Sequence, residues 1–142
     1  MTFHFQSNRL KVIDYVYNGI TKESDVRNNM ILFETVVALS EAATISKKYG
    51  MKVDTLFENI TKCSGDSFAL RNHGFKSIAK DKFPSPAFST EYALKDLSYA
   101  LELGKKLNVS LPGASTVEKL FKKSIKNGDK DLYFPVIKRN LN

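Results

Sequence analysis

Residues 24–50 read SDVRNNMILFETVVALSEAATISKKYG. From Ile31 onward, apolar or small residues return every three or four positions: Ile31, Leu32, Thr35, Val36, Leu39, Ala42, Ala43 and Ile45. That spacing lines side chains up on a helix. Ser24 suits the cap position, Asp25 suits the positive first turn, and Gly50 suits the stop. At about 25 residues, the segment exceeds the usual three or four turns. It is apolar around much of its circumference, which predicts a helix buried on several sides. Two adjacent amides, Asn28 and Asn29, occupy its first turns. Ala, Leu or Glu would make a steadier helix there. The pair is either surface filler or a contact.

Working outward, RLKVIDYVYN (residues 9–18) is rich in β-branched and aromatic residues and predicts a short strand. A lone strand is not stable in water and must pair with something. Downstream, Asp54 reads as the cap of a second helix running to about Cys63. A Ser64-Gly65-Asp66 loop and a helix from Ser67 to about Lys80 follow. FPSPAFS (residues 83–89) is a proline-punctuated loop. Ser89 or Thr90 opens the next helix, with Tyr92, Leu94, Leu97, Ala100, Leu101 and Leu103 as its apolar positions. Pro112 starts another at its favoured first position, ending at Gly128. Asp131 caps a last helix, DLYFPVIKRNL, in which Pro135 is tolerable only near the start. The sum is an all-α domain of about six helices around a long first helix.

The 142 residues allow one domain with a proper core. A hydrophobic share of 42% and a charged share of 26% are those of an ordinary globular chain. No unbroken apolar run approaches the roughly 20 residues of a membrane span, and no secretory leader is legible in MTFHFQSNRLK. A single cysteine, Cys63, precludes an internal disulfide and suits a reducing cytoplasm. Two distant histidines, His4 and His73, form no metal-ligand pattern. The net charge of +7 comes from lysines gathered near predicted helix C-termini, without interleaved aromatics. That distribution argues for solvated helix ends and against a nucleic-acid groove reader.

Several segments in order resemble the C-terminal helical domain of the 3-hydroxyisobutyrate dehydrogenase and 6-phosphogluconate dehydrogenase-like family. They are GITKESDVRNN (19–29), SEAATISKKYGM (40–51), DTLFENITKCSGDSF (54–68), FSTEYALKDLSYALELGKKLNVSLPGA (88–114) and KNGDKDLYFPVI (126–137). The resemblance implies a Rossmann domain that binds NAD or NADP. It also implies a helical domain that closes over the nicotinamide, meets a small hydroxyacid and dimerises. Residues 1–20 are then the strand and linker left from a Rossmann domain, and residues 21–142 the helical domain. The expected assembly is a homodimer through the long first helix, with cofactor only where a Rossmann partner is present.

The resemblance also assigns residues. Gly19 matches a family glycine, and Thr21 replaces a second one. Asn28 and Asn29 match the paired amides, Asn29 being the substrate contact. Ser64 and Gly65 match a loop beside the substrate, and Lys95 matches a lysine that approaches the cofactor. The catalytic lysine falls on Asp25. Aspartate can accept a proton but cannot stabilise a negative oxygen, so the chain alone is expected to be inactive. Lys22, three residues earlier, is the candidate substitute. A non-catalytic scaffold descended from the family is the alternative. Asp96 is expected to fix local structure, Cys63 to be a small buried residue, and His73 to be no catalyst. Phe68, Phe75, Phe83 and Phe88 are expected to pack in the core.

Overall fold

The computed structural model describes residues 22–85 and 87–141. The strand expected at residues 9–18, with Gly19 and Thr21, lies outside them. Six helical elements follow one another: α1 (Lys22–Tyr49), α2 (Val53–Ile60), α3 (Leu70–Ile78), α4 (Thr90–Lys106), α5 (Pro112–Lys126) and α6 (Phe134–Leu141). Two of them are not α-helical. α3 is a π-helix, and α6 is a 3₁₀-helix. Among the described residues there is one isolated antiparallel bridge, Ser89 to Tyr133.

α1 spans 28 residues and touches every other element. Phe33, Val36 and Ala43 on it are fully buried. Phe33 is the hub of the core: its ring lies 5.0 Å from Phe134, 5.3 Å from Phe121 and 6.0 Å from Phe88. Edge-on aromatic contacts of this kind add to the energy of burial. Ser40 and Thr44 are buried on the same helix and donate to the carbonyls of Val36 and Ser40, so neither hydroxyl is left unpaired. By length and composition Asp25–Lys48 could cross a membrane. Its core-facing side chains identify it here as the central helix of a bundle.

Several helix ends share one chemistry. After α1, Gly50 takes φ +89° and Met51 donates to the Ser46 carbonyl; after α5, Gly128 takes φ +92° and Asp129 donates to that of Ser124. Both closures need a left-handed residue, which glycine supplies without strain. Asn108 after α4 and Asp81 after α3 reach the same geometry with side chains attached, at φ 56° and 50°. Asp81 has a second task. Lys138, almost wholly buried on α6, donates to the Ile78 carbonyl at 2.9 Å and to Asp81 at 2.5 Å, and Lys47 stands 3.6 Å from the same carboxylate.

Several local expectations are corrected. α1 begins at Lys22, so Ser24 lies inside its first turn. Lys52, not Asp54, occupies the cap of α2, and Asp54 sits in its first turn beside the helix dipole. α2 stops at Ile60, leaving Cys63 in an exposed turn and not in the core. The last helix begins at Phe134, because Pro135 is tolerated only near a helix start. Phe68 is 74% exposed, and so are Ile45 (70%) and Ile31 (62%), which were expected to face the interior. Ser89 does cap α4, accepting from the Tyr92 amide.

Candidate functional site

A side-chain hydrogen bond ties the start of α1 to α4. Asn29 Nδ2 donates to Asp96 Oδ2 at 2.9 Å, across 67 residues of sequence. Both groups are half-buried. This bond fixes the Asn29 amide against α4, where Lys95 is the next residue along the chain from Asp96. α4 is itself tightly held at its start. Thr90 and Glu91 donate to the Leu132 and Lys130 carbonyls, and Phe134 donates to that of Phe88. Lys95 is exposed, with its ammonium 5.6 Å above the Tyr92 ring, and Tyr92 packs edge-on against Phe88. The ring's negative face favours the cation there.

Asn28 turns to the other side. It lines an open groove of about 430 Å³ with Ile31, Leu32, Thr35, Ser67, Phe68 and Ala69. The two amides are themselves linked, Asn28 Nδ2 donating to Asn29 Oδ1 at 3.4 Å, while Asn29 reaches on to α4 and Asn28 borders the loop between α2 and α3. Ser64 and Gly65 stand on the exposed outer turn of that loop and do not line the groove. Its inner end, Ser67–Ala69, does. Ser67 accepts from the Leu70 amide, and Arg71 grips Asp66 through both carboxylate oxygens. The Arg71 guanidinium holds the Asp66 carboxyl below its ordinary range. Asp25 is exposed, one turn before the amides. The Lys22 side chain lies outside the described residues.

Sequence reasoning missed the His73–Tyr133 pair. His73 Nδ1 and the Tyr133 hydroxyl are hydrogen-bonded, joining α3 to the segment before α6. Burial lowers the His73 pKa, with Lys76 adding to the effect, and burial raises that of Tyr133. A separation of 60 positions gives no sequence signal for such a pair. Among the described residues, no three His, Cys, Asp or Glu side chains converge as metal ligands.

A family model described as "NAD-binding of NADP-dependent 3-hydroxyisobutyrate dehydrogenase" matches residues 24–136. The chain belongs to this family. Asp25, Asn29, Ser64, Gly65 and Lys95 all fall inside the match. Among curated relatives of this 3-hydroxyisobutyrate dehydrogenase-family chain, the 2-(hydroxymethyl)glutarate dehydrogenase of Eubacterium barkeri is 36% identical over 111 residues. That alignment takes in 76% of this chain and 36% of the relative. The glyoxylate/succinic semialdehyde reductase 1 of Arabidopsis thaliana is 34% identical, over 77% of this chain and 37% of its own length. Among solved structures, the 3-hydroxyisobutyrate dehydrogenase of Mycobacterium tuberculosis with L-serine superposes with a TM-score of 0.75 at 27% identity. It covers 84% of this chain and 43% of that one. The fold is shared with the Salmonella typhimurium enzyme as well, at TM-score 0.74 and 19% identity over 83% of this chain and 41% of that one. The chain therefore spans well under half the length of these relatives.

On α4, Tyr92 and Lys95 present an aromatic ring and an ammonium, and Asp96 holds the Asn29 amide. The described residues hold no glycine-rich strand-to-helix turn of the kind that cradles a dinucleotide's pyrophosphate.

Proposed function

We propose that this chain is the substrate-side and dimerisation half of an NAD(P)-dependent 3-hydroxyacid dehydrogenase. In this reading residues 21–142 are the helical domain, and the nucleotide is held by a Rossmann domain outside the described residues. The observation that carries this reading is the Asn29–Asp96 hydrogen bond. It holds the Asn29 amide against Asp96, the neighbour of Lys95, and leaves its second N–H for the hydroxyl or carboxylate of a small hydroxyacid, the Asn29 oxygen accepting from Asn28 at 3.4 Å. NAD or NADP, held by the Rossmann domain, accepts the hydride. Lys95 meets the cofactor from the α4 edge. From the loop between α2 and α3 it is Ser67–Ala69, not Ser64 and Gly65, that border the groove beside Asn28.

Asp25 stands where the family has its lysine. Its carboxylate can take the hydroxyl proton but brings no positive charge to the oxygen left behind, and it repels an anionic substrate. The isolated chain is therefore inactive in this reading. Lys22, close to one turn earlier, is the candidate substitute cation. The same aspartate favours a second reading, a non-catalytic dimerisation scaffold. The two are separated by joining this chain to the Rossmann domain of a relative and measuring cofactor reduction with 3-hydroxyacids. Asp25→Lys is expected to raise turnover by about 100-fold or more. No change on that substitution supports the scaffold. Loss of residual turnover in Lys22→Met would identify Lys22 as the working cation. The exposed residues along α1 support self-association of the domain through this helix.

A further inference from the structure

His73 stands at a junction that the substrate reading leaves unused. Its ring is half-buried on α3, with Nδ1 hydrogen-bonded to the Tyr133 hydroxyl. Two phenylalanine rings close round it, Phe134 at 5.3 Å and Phe68 at 6.3 Å. Tyr133 belongs to a short strap, residues 129–133, between α5 and α6. That strap holds the first turn of α4. The Thr90 amide and hydroxyl both donate to the Leu132 carbonyl, at 2.9 and 3.0 Å, and the Glu91 amide donates to that of Lys130 at 3.1 Å. Tyr92 and Lys95 stand just beyond on the same helix. On the other side of His73, Phe68 is a wall of the groove beside Asn28. One imidazole thus touches both the strap that anchors α4 and the ring that borders the groove.

We propose that His73 is a proton-operated clasp. Neutral, its Nδ1 accepts from the Tyr133 hydroxyl and draws the strap and the Phe68 ring onto α3. Protonated, the same nitrogen carries a hydrogen and can no longer accept, so the strap and the Phe68 ring loosen together. Burial keeps the Tyr133 phenol protonated, which makes it the donor of the closed clasp. The charges around the ring are few. Lys76, three residues on along α3, is the one that bears on it, and it opposes a second positive charge. In the loop before α3, Asp66 is closed on Arg71; on α6, Lys138 is engaged at the far end of α3 with the Ile78 carbonyl and Asp81. Among the described residues, no carboxylate of α1, α2 or the strap forms an ion pair with His73. A proton arriving on the ring therefore meets no counter-charge inside the clasp, and the charged ring gains by moving out toward water. The device is built into the fold and needs no bound substrate.

The test uses the full chain in a His4→Gln background, so that a single histidine titrates. The His73 ring and the backbone amides are followed by NMR from about pH 8 to about pH 4.5, a range that brackets the ordinary histidine value. The Thr90, Glu91 and Phe134 amides are expected to shift with the midpoint of the His73 ring. Hydrogen-exchange protection at Thr90 and Glu91 is expected to fall about fivefold once the ring is charged. Tyr133→Phe keeps the aromatic packing and removes the donor. It is expected to raise the His73 midpoint and to uncouple the strap amides from it. His73→Gln, which cannot charge in this range, is expected to leave those amides independent of pH. A His73 that titrates without moving them would overturn the clasp. So would amides that respond as before in His73→Gln, since the proton would then act elsewhere. A midpoint that stays put or falls in Tyr133→Phe would overturn it too, because the hydroxyl would not be donating to the neutral ring.

Discussion

Cutting the link between Asn29 and Asp96 tests the site where it is most specific. A hydrogen bond to a charged acceptor contributes about 1.5–3 kcal/mol when well buried. This one measures 2.9 Å but is half-buried at both ends, so the expected contribution is smaller, about 1 kcal/mol. Single substitutions do not reveal it cleanly. Asn29 and Asp96 both lie inside helices, where replacement by Ala returns roughly 0.5 kcal/mol of helix propensity and hides part of the loss. A double-mutant cycle removes that offset. Urea unfolding of the parent, Asn29→Ala, Asp96→Ala and the double variant is expected to give a coupling energy near 1 kcal/mol. The singles should each move the midpoint by less than that. A coupling below about 0.3 kcal/mol, the scatter of unrelated positions, would refute the claim that this bond joins α1 to α4.

Three further outcomes are expected. Burial holds the His73 pKa below its ordinary 6.5, so the folded state binds fewer protons than the unfolded chain as pH falls. Stability is then complete above about pH 6.5 and declines below it until the folded-state pKa is passed; thermal melts of the parent and His73→Gln should diverge across that window. Gly104→Ala should destabilise by about 1–3 kcal/mol in chemical denaturation, because its Cβ would sit 2.6 Å from Leu111 Cδ1 and 3.1 Å from the Val109 carbonyl. Gly113→Ala meets only the mobile end of Glu34 at 2.6 Å and should be nearly neutral. Lys138→Met removes the donor to the Ile78 carbonyl and to Asp81, and should cost about 2 kcal/mol, read as a melting point several degrees lower.

The long helix, the cap at Ser89, the start at Pro112 and the stops at Gly50 and Gly128 were legible because each is written in local sequence. The π-helical form of α3 and the 3₁₀ form of α6 were not, since both depend on what packs around them. The glycines announced their left-handed turns, whereas Asn108 and Asp81 adopt the same conformation without that signature. At the site, motif order led to Asn29 and Lys95, and Asp96 was correctly given a structural part. The loop residues it pointed to, Ser64 and Gly65, face outward, while Ser67–Ala69 line the groove. Periodicity reports that a residue is apolar on a helix, not whether anything covers it. Ile31 and Ile45 were therefore placed in the interior when they lie on the open edge.

Asp81 shows how two demands can trap one position. Its backbone conformation would be easier for glycine by about 1 kcal/mol. Its carboxylate, however, is the counter-charge of a lysine sunk in the core. Swapping in glycine would relax the main chain while stranding that ammonium with a lone carbonyl. Asparagine would keep the turn but halve the electrostatic grip. In a directed-evolution library aimed at thermostability, this position should therefore resist replacement even though it lies on the surface, and Lys138 should change only together with it.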